Sequence, residues 1–174
     1  MGWNDRARTT SPVRNLWRLS HDDTSQTWTT PNEPAASQAP SRLKAAQQVP
    51  GRRSIQPDGA FDASRYGFSQ GVAVDGVLYV SGQVSTAADL ASQVGEAWAS
   101  VVEVVEAAGG SAASIAKINV FTLDEAAWTH LQPLIEAATA PHLPAATMVK
   151  VVGLANPALL VEIEAIAHLP RTAS

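Results

Sequence analysis

Two glutamates, Glu162 and Glu164, are the side chains of this 174-residue chain best placed to do chemistry. They lie in Val161-Glu162-Ile163-Glu164-Ala165-Ile166-Ala167, an alternating run that reads as a strand. Alternation puts Leu160, Glu162, Glu164 and Ile166 on one face and Val161, Ile163 and Ala165 on the other. Two carboxylates on one face of an apolar strand need water, a partner or a task. One reading pairs them with Lys150 across a hairpin. The other has Glu162 lining a ligand cleft as acid, base or hydrogen-bond acceptor. The chain contains no cysteine, which excludes a thiolate nucleophile, a cysteine zinc site and a disulfide framework.

Several elements must position these groups. A β-type run over residues 146–152 puts Ala146, Met148, Lys150 and Val152 on one face. Gly153-Leu154-Ala155-Asn156-Pro157 separates it from the glutamate strand, so an antiparallel hairpin is predicted there. Upstream, residues 53–57 read as a short edge strand. Residues 68–84 read as a hairpin turning at Asp75-Gly76, and its second strand ends in Ser81-Gly82-Gln83. Glycine at that strand end permits a bulge or a close approach to the backbone. Leu90, Val94, Trp98, Val101, Val105 and Ala108 recur at helical spacing over residues 89–108, and Gly109-Gly110 ends that helix. Residues 114–121 form a strand. Thr122-Leu123-Asp124-Glu125 has the pattern of a capping box opening a second helix towards Ala138, which Pro133 should kink or split.

This order gives an α+β sandwich, a mostly antiparallel sheet with two helices on one face. Tyr79, Met148, Leu160 and Ile166 are expected on the other face, which a lone small domain cannot cover, so oligomerisation is expected.

Composition divides the chain. Residues 1–50 lack sustained periodicity and read as a basic, low-complexity, flexible arm, residues 51–170 as the folded domain, and residues 171–174 as a tail. Trp3, Trp17 and Trp28, and a short amphipathic segment over residues 13–19, are the arm's candidates for docking. Up to Pro57 there are eight basic and four acidic residues; of the totals of 12 and 16, four basic and twelve acidic remain beyond it. An acidic folded part argues against a nucleic-acid partner. No hydrophobic run is long enough to span a bilayer and no signal peptide is apparent, so a cytoplasmic protein without membrane attachment is expected.

From residue 54 to 169 the chain resembles the Rid family (reactive intermediate deaminases, or YjgF-type proteins). The resemblance is carried by Gln70-Gly71-Val72, Val80-Ser81-Gly82-Gln83, Gln93 and Val105-Glu106-Ala107-Ala108-Gly109. It continues in Ile118-Asn119-Val120-Phe121-Thr122-Leu123-Asp124, Pro144-Ala145 and Val161-Glu162-Ile163-Glu164-Ala165-Ile166-Ala167. The resemblance implies a chorismate-mutase-like α+β fold, a homotrimer with ligand clefts between subunits, and hydrolysis of 2-imino or enamino acids without metal or cofactor. It places Glu162 as the water-positioning catalytic group and Ser81, Gly82 and Gln83 at the pocket turn. The family's carboxylate-binding arginine follows Pro-Ala, and Ala146 stands there instead. Phe68 replaces a common tyrosine, Thr129 a common asparagine, and the loop between Gln83 and Gln93 is short. The cleft around Phe68, Ala146 and Met148 is therefore expected to be apolar and roomy, suited to a larger or uncharged substrate. His142, Lys150 and Arg53 are candidate replacement cations.

The expected function is a small-molecule enzyme acting on an imine, enamine or related unsaturated carbonyl metabolite by water or proton transfer. The alternative is a non-catalytic trimer that binds a metabolite or a protein.

Overall fold

The computed structural model describes residues 49–170. The tryptophan-bearing arm up to residue 48 and the tail 171–174 lie outside the described residues. The strands are β1 (Arg53–Ile55), β2 (Gly71–Val74), β3 (Val77–Gln83), β4 (Ile115–Thr122), β5 (Ala145–Lys150) and β6 (Val161–His168). The helices are α1 (Leu90–Ala107) and α2 (Ala127–Thr139). The sheet runs β1-β2-β3-β6-β4-β5, and every neighbouring pair is antiparallel except β4 and β5. The predicted α+β architecture is observed.

Local chemistry explains the elements. Asp75 (φ 51°) and Gly76 (φ 77°) both take positive φ, the two-residue turn that Asp-Gly favours between twisted antiparallel strands. Asp89 caps α1 by accepting from the Ser92 N–H at 2.9 Å, and Gly109 leaves it at φ 91°. The buried stripe of α1, Val94, Ala97, Trp98, Val101, Val104 and Val105, meets Leu78 and Val80 of β3 and Val161 and Ile163 of β6 in one core. Gly71 fits only because it lacks a side chain, since a Cβ there would stand 2.8 Å from Val104 Cγ1.

Three expectations are corrected. The runs at 146–152 and 159–167 do not form a hairpin. β6 lies between β3 and β4, and β5 pairs parallel with the outer side of β4. The alternating apolar residues of β6 are fully buried on one face, which suits the sheet centre, whereas all six residues of β5 are exposed. Residues 151–160 carry the chain past β4 between them. Lys150 therefore meets neither Glu162 nor Glu164, and pairs with Glu125 at 2.6 Å.

The predicted capping box does not form. The Thr122 hydroxyl accepts from the Asp124 N–H at 3.1 Å and lies 3.0 Å from Leu160 O, so Thr122 fastens the β4 end to the β6 start. Helix α2 begins only at Ala127. It also runs unbroken through Pro133 to Thr139.

Gln93, buried in the first turns of α1, joins two loops. Its Nε2 donates to Ala87 O and Ala158 O, each at 2.9 Å, and its Oε1 accepts from the Leu160 N–H at 2.8 Å. Gln93→Leu keeps the volume but strands these backbone groups. Urea denaturation should show a loss of about 3 kcal/mol, within the range for buried polar groups left unpaired.

Candidate active site

The glutamate strand delivers what its alternation promised. Val161, Ile163, Ala165 and Ala167 are buried against the helices, while Glu162, Glu164 and Ile166 are half-buried on the opposite, helix-free face. Tyr79, opposite Ile166 on β3, is 50% exposed on that face.

Beside Glu162 the β3–β6 ladder is irregular. Val80 pairs with Ala165 but Gln83 with Ile163, so β3 holds one residue more than β6 across the interval. The extra residue falls in Ser81-Gly82. A Cβ added to Gly82 would stand 1.8 Å from Glu162 Oε1 and 2.6 Å from its Cδ. The carboxyl group thus rests on bare Gly82 backbone, a contact only glycine permits.

The hydrogen bonds on this face belong to the neighbours of Glu162. Asn119 Nδ2 donates to Glu164 Oε1 at 2.7 Å, and Lys117 Nζ to Thr147 Oγ1 at 2.5 Å. Among the described residues the Glu162 carboxyl accepts none, which leaves it open to solvent or ligand. Burial, and secondarily the charge of Glu164, push the Glu162 carboxyl above its ordinary value. A carboxylate that binds a proton more readily than usual is a better base near neutral pH.

The bulge also holds a loop. Ser81 N–H donates to Gln70 O at 2.9 Å and Ser81 Oγ to Ser69 O at 2.7 Å. This brings Ser69, and the adjacent exposed Phe68, to the strand end that carries Gly82.

A family model described as Endoribonuclease L-PSP matches residues 60–169, which contain all of these groups. The chain belongs to this family. Solved structures agree, and their family names include YjgF. The YjgF gene product of E. coli is 30% identical, covering 67% of this chain and 98% of its own, with a TM-score of 0.59. Rv2704 of Mycobacterium tuberculosis, a member of the YjgF/YER057c/UK114 family, is 27% identical over 68% of this chain and 99% of its own, with a TM-score of 0.61. A protein of unknown function from Pseudomonas aeruginosa is 28% identical over 68% of this chain and 92% of its own, with a TM-score of 0.60.

Within this YjgF-type domain the expected site residues fall into separate groups. Ser81, Gly82 and Glu162 come together, with Phe68 beside them. Gln83 does not face the opening. Its side chain is buried, and its Nε2 donates to Gln70 Oε1 at 3.0 Å and Ser81 O at 2.9 Å. Ala146 and Met148 pair with Ile118 and Val120, whereas Phe121 pairs with both Glu162 and Val149. Paired residues project to the same side, so Ala146 and Met148 lie on the helix side of the edge strand, away from Glu162 of the same chain. Thr129 is exposed in the first turn of α2.

The candidate replacement cations are also elsewhere. Arg53 donates to Ala108 O at 3.2 Å at the end of α1, Lys150 is held by Glu125, and His142 is exposed in the turn after α2. Sequence reasoning missed Asn119 and Gln70. Their partners lie 45 and 13 residues away, so no local pattern marks them.

Two outcomes are expected. Gly82→Ala displaces the Glu162 carboxyl from the bulge, and because the clash is with the end of a flexible, half-exposed side chain it costs less than about 1 kcal/mol by thermal or urea unfolding. Glu162→Gln removes a group whose proton the folded protein holds more tightly than the unfolded chain does. The ionised form is a burden that is absent in acid, grows as pH rises past the ordinary glutamate value of 4.5, and levels off above the folded-state value. The variant should therefore melt higher than the parent at neutral pH, with the difference vanishing below that range.

Proposed function

We propose that this domain is an enzyme that hydrolyses a reactive imine or enamine, or acts on a related unsaturated carbonyl metabolite, with Glu162 handling water and protons. The observation that supports this reading is the Glu162 carboxyl itself, seated on Gly82 and half-buried. In the imine reaction Glu162 takes a proton from water as the oxygen bonds to the imine carbon. It then returns that proton to nitrogen, giving a carbinolamine. Glu162 next carries the hydroxyl proton to the amino group, and as the carbonyl forms the carbon–nitrogen bond breaks and ammonia leaves with its electron pair. Every atom comes from imine and water, so the chemistry calls for no cofactor.

The site is best understood as completed by neighbouring copies in a homotrimer. The helix-free face leaves Tyr79 and Val149 50% and 44% exposed, and Ala146 and Met148 look away from Glu162 of their own chain. A neighbour's edge strand is what would close the cleft. RNA is a poor substrate for this surface, because acidic residues outnumber basic ones twelve to four beyond Pro57. Ala146 favours a second reading, a non-catalytic metabolite-binding trimer, because the position the family gives to an arginine carries no charge.

The test generates 2-imino acids with an amino-acid oxidase and follows loss of trappable imine for the parent, Glu162→Gln and Ala146→Arg. Turnover in the parent that falls at least a hundredfold in Glu162→Gln, about the low end for a lost acid–base group, supports the enzyme. Turnover only in Ala146→Arg means intact machinery with altered specificity. No turnover in any of them, together with saturable ligand binding, favours the binding module.

A further inference from the structure

The helix-free face carries a polar row next to Glu162. Glu164 on β6, Asn119 on β4 and Thr147 on β5 stand in register across the three strands. Asn119 Nδ2 donates to Glu164 Oε1 at 2.7 Å. At the other end of the row Thr147 Oγ1 accepts from Lys117 Nζ at 2.5 Å. Lys117 lies between Ile166 of β6 and Ala145 of β5, and its side chain runs to the β5 side, away from the glutamates. The neutral amide of Asn119 thus stands between the ammonium and the Glu164 carboxylate. The ion pairs among the described residues are Arg65 with Asp62 and Lys150 with Glu125, and neither uses Lys117 or Glu164. A charge-assisted bond is stronger than a neutral one, so a direct Lys117–Glu164 pair is the arrangement that Asn119 has to prevent.

The surroundings of Glu162 make that separation matter. Glu162 and Glu164 are next-but-one along β6 and share a face, which sets them ~7 Å apart on an extended strand. From β3, Ser81 and Gly82 bring no charge to the Glu162 carboxyl. From β4 its partner is Phe121, followed along the face by Asn119 and Lys117. From β5 come Val149 and Thr147. His168 stands at the far end of β6, opposite Val77. Arg53 and Lys150 belong to the other face and are bonded there, to Ala108 O and Glu125. Burial raises the affinity of the Glu162 carboxyl for a proton, and of these charged groups Glu164 raises it further. Were Glu164 paired with Lys117, the two opposite charges would largely cancel at Glu162.

We propose that Glu164 is the electrostatic partner that makes Glu162 an effective base, and that Asn119 is the positioning residue that keeps Glu164 apart from Lys117. The pair works without touching the substrate. Glu164 stays two residues from the reacting group, anchored through one oxygen, and its charge is left uncompensated on that side. The proposal rests on the enzyme reading of the site, because only a base gains from a neighbouring anion. It also gives the second carboxylate of the strand a task, which the pairing of Lys150 with Glu125 had left open.

The experiment reads Glu162 directly. The full chain in its native assembly is labelled with glutamate carrying carbon-13 in the side-chain carboxyl, and the Glu162 resonance, identified by its loss in Glu162→Gln, is titrated. Glu164→Gln should lower its midpoint by at least about 0.4 of a pH unit, the amount for two unit charges ~7 Å apart even at the dielectric constant of water. Asn119→Leu should lower it as well in the presence of Lys117, and should leave it in place in a Lys117→Met background. A midpoint unmoved by Glu164→Gln overturns the proposal. An Asn119→Leu variant without effect, or with the same effect when Lys117 is absent, overturns the part given to Asn119. Turnover of 2-imino acids made by an amino-acid oxidase is followed against pH in parallel. In Glu164→Gln the acid limb of kcat/KM should move down with the midpoint. A limb that stays while the midpoint moves overturns Glu162 as the base. Absence of turnover at every pH, with the midpoint shifted as expected, counts against the enzyme reading and not against the charge pair.

Discussion

The contact between the Glu162 carboxyl and the bare backbone of Gly82 is the constraint on which the site depends. It requires a bulge in β3, a glycine within that bulge, and β6 registered so that Glu164 lies opposite the bulge and the Glu162 side chain reaches over Gly82. Shifting β6 by one residue would turn both glutamates into the helix layer, where unpaired carboxylates cannot remain. The burial of Val161, Ile163, Ala165 and Ala167 is what prevents that slip. The core and the chemistry therefore enforce the same register.

Around this contact the buried polar groups act as fasteners. Gln93 joins the loop after β3 to the loop before β6, Thr122 joins the end of β4 to the start of β6, and Gln70 with Gln83 joins the 60–69 segment to the bulge. Each fixes irregular backbone that no ladder can hold, and each lies near the end of the sheet where β6 begins. The helix layer needs few such devices, because valine, leucine and isoleucine packing suffices there. The polar fasteners gather at the sheet end where several loops meet, and the energy of each depends on all its partners being present.

Membership of the YjgF-type family sets the architecture but leaves the chemistry to particular side chains. This domain retains the glutamate and the Ser-Gly-Gln turn, and carries alanine where the resemblance leads one to expect arginine. The structure adds that Arg53 and Lys150 are engaged elsewhere and that His142 is exposed in the turn after α2.

Much was legible in sequence because it rested on local chemistry. The Asp75-Gly76 turn, the α1 stripe with its Asp89 cap, and the two faces of β6 follow from φ preferences and from periodicity, which neighbours along the chain determine. Glu162 and the Ser81-Gly82-Gln83 turn were visible for the same reason. Tertiary structure alone decided which strand lies next to which. Residues 146–152 and 159–167 look like a hairpin, yet β6 gains more by burying its alternating apolar face at the sheet centre, and β5 is left at the edge. That choice moved Lys150 to Glu125, turned Ala146 and Met148 away from Glu162, and revealed Gln83 as a buried fastener. Partners set by long-range pairing leave no trace in local spacing, because their energy depends on segments that meet only when the sheet is built.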